Sequence, residues 1–192
     1  MTWTFNPVAY GPAVAELLTG DRLPELGPGR ANAAARPLLE QLTVERLVPG
    51  PIADADMARC CLAALWLHHD FLDESHKISQ EIETPSGGYW HGILHRREPD
   101  YGNAKYWFRR VGKHPAMEPL RLAVAELAEK GELIAPAPRK SAWDAFAFVD
   151  WCEEFAGKES AQAEVCRRVQ LLEWQILFDW CWREHSPIKL EA

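Results

Sequence analysis

Histidines and carboxylates recur at helical spacing in two consecutive stretches of the chain. The offsets i, i+4 and i+7 describe both sets: His69, Asp73 and His76 in the first, and His91, His95 and Glu98 in the second. At 100° per residue, each set falls on one line along a helix. A short connection between the two helices favours antiparallel packing, so we expect the two lines to face each other. The spacing therefore predicts a shared site of imidazoles and carboxylates.

Metal binding is one interpretation of this pattern. Neutral imidazole is a ligand for Zn²⁺, Mn²⁺ and iron, and a bound ion lowers the pKa of water to near 7. The candidate ligands are His69, His76, His91 and His95. The chain has no HExxH motif, and a single DESH segment imitates the ExxH pairs of di-iron bundles. A site without any cofactor is the equal alternative, in which each histidine forms an ordinary hydrogen bond near a helix end.

Anion binding is the leading interpretation, because cations and aromatic rings gather in one stretch of an acidic chain. The net charge is −7, yet residues 89–114 contain six Lys or Arg, two acids and six aromatic residues. This composition predicts a pocket for a small anion with a flat or apolar portion. The predicted ligand contacts are His69, His76, Gln80, Trp90, Arg97, Asn103, Tyr106, Trp107 and Arg110. The alternative is that these cations only form ion pairs that dock helices.

Acid–base catalysis is the enzymatic version of the anion-binding interpretation. His91 or His95 would transfer a proton, and Glu98 or Asp73 would orient the imidazole. A metal-dependent hydrolase or oxygenase is the second hypothesis. The third is a non-enzymatic helical protein in which exposed members of the nine Trp form an interface. A homodimer is among the assemblies considered. Nucleic acid is the poorest choice of partner, because the overall charge is negative.

The elements that carry these residues are predicted to be helices, because apolar residues recur every three or four positions and no alternating pattern occurs. We expect a single all-α domain, 1–192, forming an irregular bundle of seven to nine helices with a loop-rich part at 1–53. The predicted helices are approximately 12–18, 31–42, 54–70, 88–98, 103–110, 119–130, 141–157 and 159–184. The helix that begins near 54 is expected to end at about Asp70. The alternative, in which it continues to Gln80, would place His69, Asp73 and His76 on one face.

Cysteine usage and the chain's start favour a cytoplasmic protein. The five Cys are an odd number with no CxxC spacing, which predicts reduced thiols. The first residues show no targeting pattern, and no apolar run is long enough for a membrane span. The expected partner is therefore a small anionic molecule and not a membrane.

The block SHKISQEIETPSGGYWHGILHRREPDYGNAKYWFRRVGKHP, residues 75–115, resembles a segment of mostly bacterial hypothetical proteins. It covers about a fifth of the chain. The resemblance implies no substrate, cofactor or catalytic residue. It implies that this block is the functional part.

Overall fold

The all-α prediction is confirmed by the computed structural model, which describes residues 4–47, 50–131 and 142–185. Within these ranges there are ten α-helices, one short 3-10 helix at Pro7–Tyr10, and no strand. The α-helices are α1 (Pro12–Leu17), α2 (Arg36–Gln41), α3 (Val44–Leu47), α4 (Ala55–His68), α5 (Leu72–Ser79), α6 (Pro85–Arg97), α7 (Tyr101–Val111), α8 (Met117–Glu129), α9 (Ala145–Phe155) and α10 (Ala161–His185). None of these helices combines the length and the apolar composition that a membrane span requires.

Asp side chains at the N-caps begin three of the predicted helices. Asp54 accepts hydrogen bonds from backbone N–H groups at the start of α4, and Asp100 does so for α7. Asp144 caps α9 by accepting from the N–H of Ala147. A cap satisfies an N–H group that has no partner within its own helix, which fixes where the helix starts. The predicted start of this last helix, residue 141, lies outside the described residues.

The core lies where α10 packs against α4, α8 and α9. Trp174 and Phe178 of α10 stack with their ring centroids 5.0 Å apart, and Trp174 donates a hydrogen bond from Nε1 to the carbonyl of Ala64 on α4. All five cysteines are buried and free. Burial raises the pKa of the Cys152 thiol to about 12. Such thiols act as small apolar groups and not as nucleophiles.

The predicted continuation of α4 to Gln80 is wrong, because the chain turns at Asp70. Asp70 has a φ of 61°, its N–H donates to Leu67, and the N–H of Phe71 donates to Trp66. This pair of hydrogen bonds is a Schellman motif, and the rings of Phe71 and Trp66 supply its apolar contact at 5.3 Å. Glycine is the usual residue at the left-handed position, so an aspartate there is a weak signal for the end of a helix.

Buried ion pairs hold Asp70 in this conformation. Its carboxylate accepts hydrogen bonds from both Arg22 and Arg97, and Arg97 also donates to the carbonyl of Gly27. A Cβ on Gly29 would lie 2.6 Å from the Asp70 carboxylate, so only glycine fits beside it. These contacts join the α4–α5 turn to the C-terminal end of α6.

Helix α6 is central to the site and is buried from Ser86 to Arg97. It packs against both α5 and α7. Gly92 permits the close approach of α7, because a Cβ there would lie 3.1 Å from the Phe108 ring. On another side of α6, Arg96 forms an ion pair with Glu173 of α10, and the Tyr89 hydroxyl donates to the same carboxylate. The buried cations of α6 are therefore structural.

Candidate metal centre

Three of the four predicted metal ligands converge. One ring nitrogen from each of His76, His91 and His95 lies within 4.8 Å of the others. The Nε2 atoms of His76 and His91 are 3.0 Å apart. Two imidazole nitrogens that share a tetrahedral Zn²⁺ are about 3.4 Å apart, given Zn–N bonds of about 2.0–2.1 Å. In this histidine cluster, the His76–His91 separation is shorter than that value, and the 4.8 Å limit for the three nitrogens is longer.

Two helices supply the histidine cluster. His91 and His95 are one turn apart on α6, and their rings stack with centroids 4.6 Å apart. His76 comes from α5, and its ring lies 4.8 Å from that of His91 and 5.1 Å from that of His95. His91 and His95 lie side by side because they are four residues apart on one helix, whereas His76 reaches them only through the packing of α5 against α6.

Glu98 lies beside the outer nitrogens of two of these rings. Its Oε2 is 3.0 Å from Nδ1 of His95, and its Oε1 is 3.6 Å from Nδ1 of His76. A carboxylate in this position favours the tautomer with the proton on Nδ1, which leaves Nε2 as the ligand atom. The Asn103 amide, 3.1 Å from Nε2 of His95, fits the same tautomer as a hydrogen-bond donor. A metal ion at this nitrogen would displace that hydrogen bond.

The cluster is buried on the α6 side and open on the α5 side. His91 and His95 are only 4% and 5% exposed, whereas the side chain of His76 is 33% exposed. Burial, together with the smaller effects of the neighbouring His95 and His76, lowers the pKa of His91 to about 3. Burial also lowers the pKa of His95, although the nearby Glu98 partly opposes this. Both rings are therefore neutral at pH 7, which is the form that binds metal ions.

A groove next to the cluster contains three of the predicted ligand contacts. Its volume is about 240 Å³, and Gln80, Trp107 and Arg110 line it together with Thr84 and Glu83. The Trp107 ring connects the groove to the cluster because it stacks on His91, with 4.1 Å between centroids. The Arg110 guanidinium lies 5.1 Å from the Trp107 ring and donates to the Tyr106 hydroxyl. Tyr106 is half exposed.

The remaining predicted residues lie away from the histidine cluster. His69 follows the end of α4, where its Nδ1 is 3.1 Å from Nδ2 of Asn32. Asp73 is exposed on α5. Trp90 is 1% exposed and packs near Trp174, and Arg97 is ion-paired with Asp70. Because Asp70 interrupts the helix, the predicted line of His69, Asp73 and His76 does not form, and among the described residues only His76 of that line joins the cluster.

A buried Ser–His pair was not predicted from the sequence. Oγ of Ser86 is 3.0 Å from Nε2 of His114, but Nδ1 of His114 accepts a hydrogen bond from the N–H of Ala116. The proton of His114 is therefore on Nε2, so this ring donates to Ser86 and cannot act as its base. The pair fastens the start of α6 to the segment before α8. The two residues are 28 positions apart, and no sequence motif connects them.

Comparisons with models of protein families, with curated proteins and with solved structures found no match to this chain. The candidate function must therefore be argued from the site itself.

Proposed function

We propose that this protein is a metal-dependent hydrolase whose centre is a divalent ion held by His76, His91 and His95. The observation that carries the proposal is the convergence of three ring nitrogens within 4.8 Å of one another. Three protein ligands leave one position of a tetrahedral ion open for water, as catalytic zinc sites require. A bound ion supplies an activated water near neutral pH.

The donor set favours hydrolysis over oxygen chemistry. Non-haem iron oxygenases use two His and one carboxylate as direct ligands. Here the three inner positions are imidazoles, and Glu98 lies beside the outer nitrogens of His76 and His95. Three imidazoles with an outer carboxylate resemble a catalytic zinc site more closely. Zn²⁺ is therefore the first ion to test, and Mn²⁺ and Fe²⁺ are the next.

The chain's own residues orient the ligands and limit the access of water. Glu98 lies 3.0 Å from Nδ1 of His95, and Trp107 covers one face of the His91 ring. The partly exposed His76 marks the open side from which a substrate would approach. Removing one ligand should therefore abolish tight binding of the ion without removing the core of the fold.

Isothermal titration of chelator-treated, tag-free protein with ZnCl₂ tests the proposal. We expect about one equivalent to bind, and we expect His91→Ala to weaken binding by at least a hundredfold. His114→Gln is the matched control, because it replaces a buried histidine outside the cluster and should leave the affinity unchanged. If the parent binds no Zn²⁺, Mn²⁺ or Fe²⁺, or if both variants behave alike, the proposal fails. Metal-dependent cleavage of p-nitrophenyl acetate or phosphate tests the hydrolase assignment.

Anion binding in the groove is the second candidate function, and the observation that favours it is the position of Arg110. Arg110 and Trp107 line the groove beside the cluster, whereas Arg96 and Arg97 are occupied by buried carboxylates. An anionic group on a substrate would pair with Arg110 while the reacting part lies near the histidines. Glu83 in the same groove disfavours groups of high negative charge.

Arg110→Gln tests this second function, and Arg109→Gln is its control. Arg109 is the adjacent exposed cation, but it lies over Phe146 and does not line the groove. We expect acetate, which carries a single charge, to raise the melting temperature of the parent and of Arg109→Gln, and to have no effect on Arg110→Gln. Equal responses of the two variants would contradict the role of the groove.

A further inference from the structure

The groove and the histidine cluster occupy neighbouring turns of the same helices. At the end of α5, Gln80 of the groove follows His76 of the cluster by four residues. On α7, Trp107 stacks on His91, and Arg110 of the groove follows three residues later. Residues three or four apart lie above one another on a helix, and one turn rises about 5.4 Å. The groove therefore lies about one helical turn from the cluster.

Two opposite charges line the groove without pairing with each other. Arg110 and Glu83 are both exposed, and neither forms an ion pair within the described part of the chain. One guanidinium nitrogen of Arg110 donates to the Tyr106 hydroxyl, and the other two have no partner among the described residues. The hydrogen bond to Tyr106 is the main cause that raises the pKa of Arg110, and the nearby Glu83 adds a smaller effect. Both charges are therefore close to each other and accessible to a ligand.

The size and the remaining lining of the groove favour a small polar group. Its volume of about 240 Å³ is below the range of about 300–1,000 Å³ for pockets that enclose drug-sized ligands. Gln80 adds an amide, Thr84 adds a hydroxyl, and Trp107 gives one aromatic wall. A head group with one positive and one negative charge matches this lining better than a simple anion, because a simple anion leaves Glu83 unpaired.

We infer that the groove binds the head group of an α-amino acid whose side chain carries an ester or an amide, and that such amino acids are the substrate class of the proposed hydrolase. The α-carboxylate pairs with Arg110, and the α-ammonium group pairs with Glu83. The side chain extends about one helical turn toward the histidine cluster. Recognition of the head group does not depend on a metal ion, whereas the reaction rests on the proposed metal centre.

The reaction is the hydrolysis of the side-chain ester or amide. The oxygen of a water molecule forms a bond to the carbonyl carbon, and the bond from that carbon to the leaving oxygen or nitrogen breaks. The leaving alcohol or amine takes a proton from the water. No oxidant, reductant or second substrate is needed.

Titration calorimetry of the chelator-treated, full-length protein with L-glutamine tests recognition of the head group in the absence of metal. N-acetyl-L-glutamine keeps only the negative charge of the head group, and L-glutaminamide keeps only the positive charge. We expect L-glutamine to bind about tenfold more tightly than either analogue, because each analogue loses one charge-assisted contact. Equal affinity for L-glutamine and either analogue, or no binding of L-glutamine at about 10 mM, would overturn the inference.

Two variants assign the charges to their partners. We expect Glu83→Gln to lose the preference over N-acetyl-L-glutamine and to keep the preference over L-glutaminamide, and we expect the reverse for Arg110→Gln. Glu81→Gln is the control for the first variant, because Glu81 is exposed, pairs with Arg59 and does not line the groove. Arg109→Gln is the control for the second. If either variant behaves like its control, the inference fails.

The zinc titration distinguishes this inference from the proposed function. If L-glutamine binds as expected but the parent binds no metal ion, the hydrolase is wrong and the groove remains a binding site for amino-acid head groups. If the histidine cluster binds Zn²⁺ but L-glutamine does not bind, the substrate class alone is wrong. If both bind, we expect the zinc-loaded parent to release ammonia from L-glutamine faster than Glu83→Gln does, and equal rates would contradict the substrate class.

Discussion

Replacing Asp70 separates the cost of its strained backbone from the benefit of its ion pairs. Asp70 has a φ of 61°, and a non-glycine residue in this region costs about 1–2 kcal/mol. Its carboxylate faces Arg22 and the 3% exposed side chain of Arg97. Removing one partner of a buried ion pair costs about 3–5 kcal/mol, because the other charge stays buried. Asp70→Ala should therefore lose about 3–5 kcal/mol of unfolding free energy.

Asp70→Gly loses the same carboxylate but relieves the strained backbone, so we expect it to lose only about 2–3 kcal/mol. Urea unfolding monitored by circular dichroism measures both variants. For a chain of this size, the melting temperature falls by about 2–4 °C per kcal/mol, which gives an independent check. A glycine variant as stable as the parent, or alanine and glycine variants of equal stability, would refute this reasoning.

Three further predictions concern pH, the outer carboxylate and helix packing. Burial holds the pKa of His91 at about 3, and those of His69 and His114 at about 4, below the value of about 6.5 in an unfolded chain. These three histidines should not lower the free energy of unfolding above pH 6.5. As the pH is lowered from 6.5 toward 4, each should reduce the free energy of unfolding by about 1.4 kcal/mol per pH unit. Urea unfolding at pH 7, 6 and 5 measures this, and a free energy of unfolding that does not change with pH would contradict the burial of these rings. Glu98→Gln should weaken Zn²⁺ binding about tenfold to a hundredfold in calorimetry, and an unchanged affinity would exclude its orienting role. Gly87→Ala should destabilise the protein by about 1–3 kcal/mol in urea, because its Cβ would clash with the Ile82 carbonyl. Gly102→Ala should be neutral or stabilising, because its Cβ would make only an ordinary contact, 3.9 Å from Oδ1 of Asp100. Similar effects of the two changes would contradict this packing.

The fold class was predictable because helix signals are local. An Asp cap and the helix that it begins are adjacent in the sequence, as in α4, α7 and α9. The apolar periodicity of α10 likewise lies within one continuous segment. The helix α3 (Val44–Leu47) was missed because four residues are too few to show a period. The end of α4 near residue 70 was predicted, but its continuation to Gln80 was wrong. The left-handed position is occupied by Asp70, and the contacts that stabilise it come from Arg22 and Arg97, far away in the sequence.

The candidate site was predictable in part for the same reason. His91 and His95 share a face because they are four residues apart on one helix, and Glu98 follows at the end of that helix. His69 was assigned to the same site on the assumption of a continuous helix, which the Asp70 turn removes. Arg97 was expected to contact a ligand, but α6 is covered on that side by the turn that contains Asp70. Helical spacing shows which residues share a face, and only the tertiary contacts show what covers it.

Diffraction from Zn²⁺-soaked crystals, recorded at the zinc absorption edge, tests the proposed metal centre most directly. We expect one strong anomalous peak within about 2.0–2.2 Å of a ring nitrogen of His76, His91 and His95, with a water molecule completing a tetrahedron. We also expect Glu98 to stay outside the inner ligands. A cluster without an anomalous peak, or with a peak bound by fewer than three of these imidazoles, would show that the proposed metal centre is wrong.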